Sequence, residues 1–258
     1  MTSIIRGRAP LRISFSGGGT DVEPYPSLIG GAVINTAIDR YAYVSLNPNK
    51  TNNFNLYSQD YGLLEKFKHI SEIIYDGKLD LVKAAIKNSK LPNHGFDALI
   101  HVDSPPGSGL GSSSALAVSL IGTLNRLLKK KLTKNKIAEK AFNIERIELG
   151  IKGGKQDQYA AAFGGFNLLE FKKKSVSVKP LKLKKEFLNE LLASILICNT
   201  NITRLSGNIL ERQSKSYSTS NPNIMENLDF IKKSTFKMKD YLLSGDIKQV
   251  SELLHEGW

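Results

Sequence analysis

Apolar and polar positions alternate with a period of two near the start of the chain. Leu11, Ile13 and Phe15 are separated by Arg12, Ser14 and Ser16, the pattern of a half-buried strand. Gly30–Asn35 and Tyr41–Leu46 are rich in β-branched and aromatic residues and predict two further strands, with a turn at Asn47-Pro48-Asn49 and a short strand over residues 54–60. The period then changes. Leu79, Val82, Ala85 and Ile86 predict a helix over 79–90, ending before Leu91-Pro92. Between 96 and 103 the alternation returns, with Phe96, Ala98, Ile100 and Val102 on one side and Asp97, Leu99, His101 and Asp103 on the other. His101 reads as a strand-surface residue. Ala117, Leu120, Ile121, Leu124, Leu127 and Leu128 recur at helical spacing, and Lys129–Lys131 sits at the end of that helix, where cations face the negative end of its dipole. Ile137, Ala138, Ala141, Ile144 and Leu149 predict a helix over 135–149.

A short helical piece follows within 153–165, bracketed by glycine pairs, and Phe166–Phe171 reads as a strand that ends in a basic turn at Lys172. Residues 191–198 read as another buried strand, which would make Cys198 a small core residue. A helix near 205–217, a break at Asn221-Pro222-Asn223 and helices near 225–241 and 246–255 complete the chain. There is no internal repeat. A boundary near residue 165 divides the chain into domains 1–165 and 166–258.

Composition adds bounds. The chain has 258 residues, 41% hydrophobic and 23% charged, enough for one large or two modest cores of an ordinary globular protein. A net charge of +12 favours anionic partners. The lysines are scattered over helix faces and the 172–185 segment, without interleaved aromatics. That favours a phosphorylated small molecule over nucleic acid. A single cysteine rules out an internal disulfide. No run reaches the roughly 18 apolar residues of a membrane span, and the first residues lack a signal peptide's apolar segment. The expectation is a cytoplasmic protein with no nucleic-acid or membrane partner.

The densest chemistry lies in Ser104-Pro105-Pro106-Gly107-Ser108-Gly109-Leu110-Gly111-Ser112-Ser113-Ser114-Ala115-Leu116, between a predicted strand and a predicted helix. Glycines let a backbone turn sharply and approach a ligand closely. Bare N–H groups at the positive end of a helix hold phosphate. No lysine follows Gly111, so this is not a Walker A loop. The order of prolines, Gly-x-Gly-Leu-Gly and Ser-Ser-Ser-Ala closely resembles the phosphate-binding motif of the GHMP kinases, the galactokinase, homoserine, mevalonate and phosphomevalonate kinase superfamily. The resemblance implies that Pro106, Gly107, Ser108, Gly109, Leu110, Gly111, Ser112, Ser113 and Ser114 hold ATP.

Two further motifs carry the resemblance. Ala9-Pro10-x-Arg12 followed by Gly17 and Thr20-Asp21 looks like the first motif of sugar kinases in this superfamily. There the Arg assists the reacting hydroxyl and the Asp binds sugar hydroxyls. Gly18 and Gly19 replace the Glu and His of the galactokinase version. The Gly-Gly-Gly-Thr-Asp form is closest to the D-glycero-D-manno-heptose 7-phosphate kinases, with fucokinase-like enzymes next. The third motif is Gly154-Lys155-Gln156-Asp157-Gln158, with Glu145 about a dozen residues upstream. From periodicity alone Glu145 sits on the edge of its helix's apolar face, where a carboxylate needs a partner. Glu148 competes for the same role. In the relatives the Glu and a motif serine hold Mg2+ and the Asp is the base. The matching serine is Ser113, with Ser112 as the alternative.

The resemblance implies an α+β, two-domain fold. An N-terminal ribosomal-protein-like domain would carry the phosphate loop, and a ferredoxin-like C-terminal domain would be incomplete here. Relatives are longer, and the chain stops at Trp258 in a predicted helix. The implied function is an ATP- and Mg2+-dependent sugar kinase that converts heptose 7-phosphate to the 1,7-bisphosphate, toward nucleotide-activated heptose for surface polysaccharide. Asp157 would be the base and Arg12 would stabilise charge. Thr20, Asp21, Gly18 and Gly19 would position the sugar. Arg204 would hold its phosphate, because a guanidinium matches phosphate oxygens bidentately. A homodimer is a further expectation. The rivals are a fucokinase-like enzyme and a non-catalytic nucleotide- or sugar-binding relative.

Overall fold

A computed structural model of the chain describes residues 3–91, 95–198 and 222–257. They form two compact units. The first comprises Met1–Leu11, Ile38–Ile151 and Asp157–Gly164, and the second Arg12–Ala37, Lys152–Gln156 and Gly165–Trp258. The last change of unit falls at Gly164–Gly165. Segments 12–37 and 152–156 cluster with the second unit, between stretches of the first. The cause is strand length. β1 (Ile5–Ser16) and β2 (Gly31–Pro48, one 18-residue strand where two were expected) each run on from one unit into the other.

In the first unit, β2 over Ala42–Pro48 pairs antiparallel with β5 (Phe96–Val102), which runs parallel to β3 (Phe54–Ser58). β3 turns back into β4 (Leu63–Phe67), a hairpin partner absent from the sequence expectation. Ala42, Val44 and Leu46 face Val102, Ile100 and Ala98 in register, so the alternating apolar positions of both strands share one side. That side is covered by α2 (Asp80–Lys87), α3 (Ser112–Leu127) and α4 (Lys134–Phe142) through Val82, Ile86, Leu120, Leu124 and Ala141, all in one buried cluster.

The helix expected over 135–149 is not uniform. After Phe142 it widens into a π-turn, Asn143–Glu148, in which the Leu149 N–H reaches back to the Ile144 carbonyl at 3.0 Å. Such wide turns cluster at functional sites. α5 (Gln156–Phe163) closes the set.

In the second unit, β2 over Gly31–Thr36 pairs antiparallel with β6 (Phe166–Lys172), which pairs with β7 (Ser175–Pro180). Phe15, Ala32, Ile34 and Leu168 pack with Phe187 and Leu191 of α6 (Lys185–Ser194), Met238 and Leu242 of α7 (Pro222–Ser244), and Val250 and Leu253 of α8 (Ile247–Glu256). The strand expected over 191–198 is a correction. Phe187 and Leu191 bury the i, i+4 face of a helix that runs to Ser194, and Cys198 is exposed rather than core. An apolar run becomes a strand only where a sheet edge takes up its backbone groups. Among the described residues no strand pairs with 195–198. The expected helix at 205–217 lies outside the described residues. Among those described, no helix is long and apolar enough to cross a membrane.

Candidate active site

The glycine-rich stretch lies between β5 and α3, as its flanking periodicities require. Gly107, Gly109 and Gly111 all have φ near +75°, in the left-handed region that other residues enter at a cost. Pro105 and Ser108 form a turn, with the Ser108 N–H donating to the Pro105 carbonyl at 3.2 Å. Gly111 is the residue before α3, and no side chain caps that helix. Its first-turn amides are therefore available to an anion, at the positive end of sixteen residues of aligned peptide dipole.

Glu145 is fully buried within the π-turn, at its third residue. Three donors meet it. Ser113 Oγ–H donates to Oε1 at 2.7 Å, Ser114 Oγ–H to Oε2 at 2.6 Å, and Gln158 Nε2–H to Oε2 at 2.6 Å. Gln158 Nε2 also donates to Ser114 Oγ at 3.0 Å. All four residues lie in the first unit. Placing a carboxylate in the interior is expensive unless it is hydrogen-bonded, and these contacts answer that cost. Ser113 is itself exposed, so the cluster opens toward solvent on the Oε1 side.

In the second unit, Thr20 is turned inward. Its hydroxyl lies 2.8 Å from the carbonyls of Gly17 and Ala32 and accepts the Ala32 N–H at 3.0 Å, which fixes the turn that ends in Asp21. Asp21 is nearly buried, and its Oδ2 accepts the Gln156 N–H at 3.0 Å. Gly154 packs so tightly against this carboxylate that a Cβ there would sit 1.9 Å from Oδ2. Gly18 is exposed, with open space around it, and Gly19 takes φ +94°.

A model of the GHMP kinases N terminal domain matches residues 80–165, which include the loop, Glu145 and Asp157. A D-glycero-alpha-D-manno-heptose 7-phosphate kinase of Campylobacter jejuni is 36% identical over 98% of this chain and 76% of its own length. The chain belongs to the GHMP kinase family. As such it is an ATP-dependent phosphotransferase. The structure of a D-glycero-D-manno-heptose 1-phosphate kinase from Bacteroides thetaiotaomicron matches with a TM-score of 0.85 at 32% identity, covering 99% of this chain and 78% of that one. An L-fucokinase/L-fucose-1-P guanylyltransferase of Bacteroides fragilis is 31% identical over 65% of this chain and 20% of its own length. The chain thus spans about three quarters of the length of the two heptose kinases.

Within this GHMP kinase, Glu145 and not Glu148 meets the loop serines. Glu148 is exposed and engaged elsewhere, accepting from the Tyr75 hydroxyl and from Asn88 Nδ2. Both Ser113 and Ser114 donate to Glu145. Asp157 is half-buried on the first turn of α5, directly before Gln158. Arg12 is half-buried on β1. Arg204 lies outside the described residues.

Sequence reasoning missed two features. One is Gln158, whose amide joins Glu145 to Ser114. Its position directly after a motif Asp was the available signal. The other is an open cleft of about 530 Å³ lined by Arg40, Asp60, His101, Asp103 and the first loop residues Ser104–Pro106. In it the His101 Nδ1 lies 2.7 Å from Asp60 and its ring stacks on Tyr43. The strand parity that placed His101 and Asp103 on one face just before the loop pointed there.

Proposed function

We propose that this GHMP kinase phosphorylates the anomeric hydroxyl of D-glycero-D-manno-heptose 7-phosphate, giving the 1,7-bisphosphate. The observation that carries this reading is the 36% identity to a heptose 7-phosphate kinase along nearly the whole chain. The Gly17-Gly18-Gly19-Thr20-Asp21 turn supports it, since a bulky side chain at Gly19 would be strained at φ +94°.

The residues divide the work. Backbone amides from Gly107 to Ser114 receive the ATP phosphates, and the cleft at Arg40–Asp60–His101–Asp103 adjoins that loop and takes the nucleoside. Glu145 and Ser113 fit Mg2+. Both are hard oxygen donors, and among the described residues no cluster of three acidic, His or Cys side chains supplies a site for an ion without nucleotide oxygens. When bound, Mg2+ neutralises charge on the transferring phosphoryl group. Asp157 accepts the proton of the attacking hydroxyl. Arg12 stabilises charge at the reacting oxygens, Asp21 orients the sugar hydroxyls, and Arg204 holds the 7-phosphate.

A second reading has its own support. The structural relative from Bacteroides thetaiotaomicron is a heptose 1-phosphate kinase, and a kinase acting on that isomer would reach the same bisphosphate. ADP release from ATP and Mg2+ is the test, with heptose 7-phosphate, heptose 1-phosphate and fucose as acceptors and Asp157→Asn as control. Turnover confined to the 7-phosphate and lost in the variant is expected. Preference for another acceptor overturns the assignment.

A further inference from the structure

Gln158 is fully buried, and its two amide ends are treated unequally. Nε2 makes two hydrogen bonds, at 2.6 Å to Glu145 Oε2 and 3.0 Å to Ser114 Oγ. Oε1 is buried with no partner. The orientation is chemically forced, because the reverse would set Oε1 against the carboxylate. Ser114 uses its one hydrogen on Glu145 Oε2 and must therefore accept from Gln158. The triangle is closed, and Oε2 is saturated from inside the protein. Oε1 accepts from the exposed Ser113 hydroxyl. A buried acceptor without a partner is normally selected against. Keeping one here means that the donor end is worth the loss.

We propose that Gln158 is a positioning residue that clamps Glu145 Oε2, so that Oε1 beside Ser113 is presented to the catalytic metal. This rests on the reading of Glu145 as the metal-holding carboxylate. Gln158 follows Asp157 on the same helical turn. The clamp therefore also ties the segment carrying the proton acceptor to the carboxylate that holds the metal. Groups that orient metal ligands typically change affinity ten- to hundredfold when removed.

The test uses the full chain and Mn2+ as the probe, with its binding followed by electron paramagnetic resonance in the presence of a non-hydrolysable ATP analogue. Gln158→Met keeps length and bulk while removing both donors and the orphan acceptor. Its Mn2+ dissociation constant should rise about tenfold, while its melting temperature falls because the buried carboxylate loses a donor. Gln158→Asn, too short to reach both partners, should show the same metal defect and serves if the Met variant fails to fold. Unchanged Mn2+ affinity in a folded Gln158 variant, with Glu145→Gln weakened as expected, overturns the positioning role alone. Unchanged affinity in Glu145→Gln itself overturns both that role and the reading of Glu145 beneath it.

Discussion

The carboxylate of Asp21 accepts the backbone N–H of Gln156 at 3.0 Å, and Gln156 is the residue before Asp157. Two positions far apart in sequence, each part of a separate motif, are thereby joined at the backbone. Gly154 is what allows it, because any Cβ would occupy the space of Oδ2. Gly154→Ala should raise the KM for the sugar about ten- to hundredfold, the scale of a small misplacement of a positioning group. Gly122→Ala, which adds a methyl group to open space in α3, should change KM little. Steady-state kinetics on the two variants makes the comparison.

Ser113 and Ser114 grip the two oxygens of one carboxylate, yet they differ in exposure. Ser114→Ala removes a buried donor and leaves Gln158 short of an acceptor, so it should cost about 1–3 kcal/mol of stability. Ser113→Ala removes an exposed hydroxyl and should stay within about 0.5 kcal/mol, while raising the Mg2+ concentration needed for half-maximal rate. Urea unfolding and a Mg2+ titration of the rate separate the two serines.

Glu148 accepts from the Tyr75 hydroxyl and from Asn88 Nδ2, away from the loop serines that meet Glu145. Glu148→Gln should leave the Mg2+ dependence of the rate unchanged. It should also move the Tyr75 phenol. Desolvation, then the Glu148 hydrogen bond and charge, hold that phenol well above its ordinary pKa. Removing the charge should bring its titration down, as tyrosinate absorbance would report.

Lys83 is fully buried, with its ammonium 2.6 Å from Asp76 and 3.5 Å from Glu65. The Lys83 hydrogen bond, then the Lys78 backbone N–H, holds the Asp76 carboxyl below its ordinary pKa. A lowered folded-state pKa means that Asp76 stabilises the fold above the unfolded pKa, near 4. That stabilisation is lost as pH falls through the lower folded value. Asp76→Asn should therefore have a lower urea midpoint than the parent at neutral pH. The gap should close as both are acidified below about pH 4.

How much of this was legible follows from burial. β5 and α3 each bury one face, so Phe96–Val102 and Ala117–Leu124 carried their periods plainly. Glu145 was legible as a carboxylate needing a partner, but not its partners, which come from α3 and α5. The π-turn at Asn143–Glu148 was invisible because its apolar spacing still matches a helix. α6 was misread because Leu191–Cys198 is apolar at every position but Ser194, and that run fits a helix end as well as a strand. β7 was masked by the lysines of its hairpin turn, although Val176 and Val178 alternate correctly. The cleft at His101 needed β3's neighbour Asp60, brought in by a parallel pairing that no local pattern encodes.

The assignment of acceptor is tested most directly by supplying ATP and Mg2+ with heptose 7-phosphate or heptose 1-phosphate in separate reactions and following ADP release, with the product examined by phosphorus NMR. The account predicts turnover on the 7-phosphate, with the new phosphate on the anomeric carbon, and none on the 1-phosphate. Conversion of the 1-phosphate with the 7-phosphate left intact would contradict it.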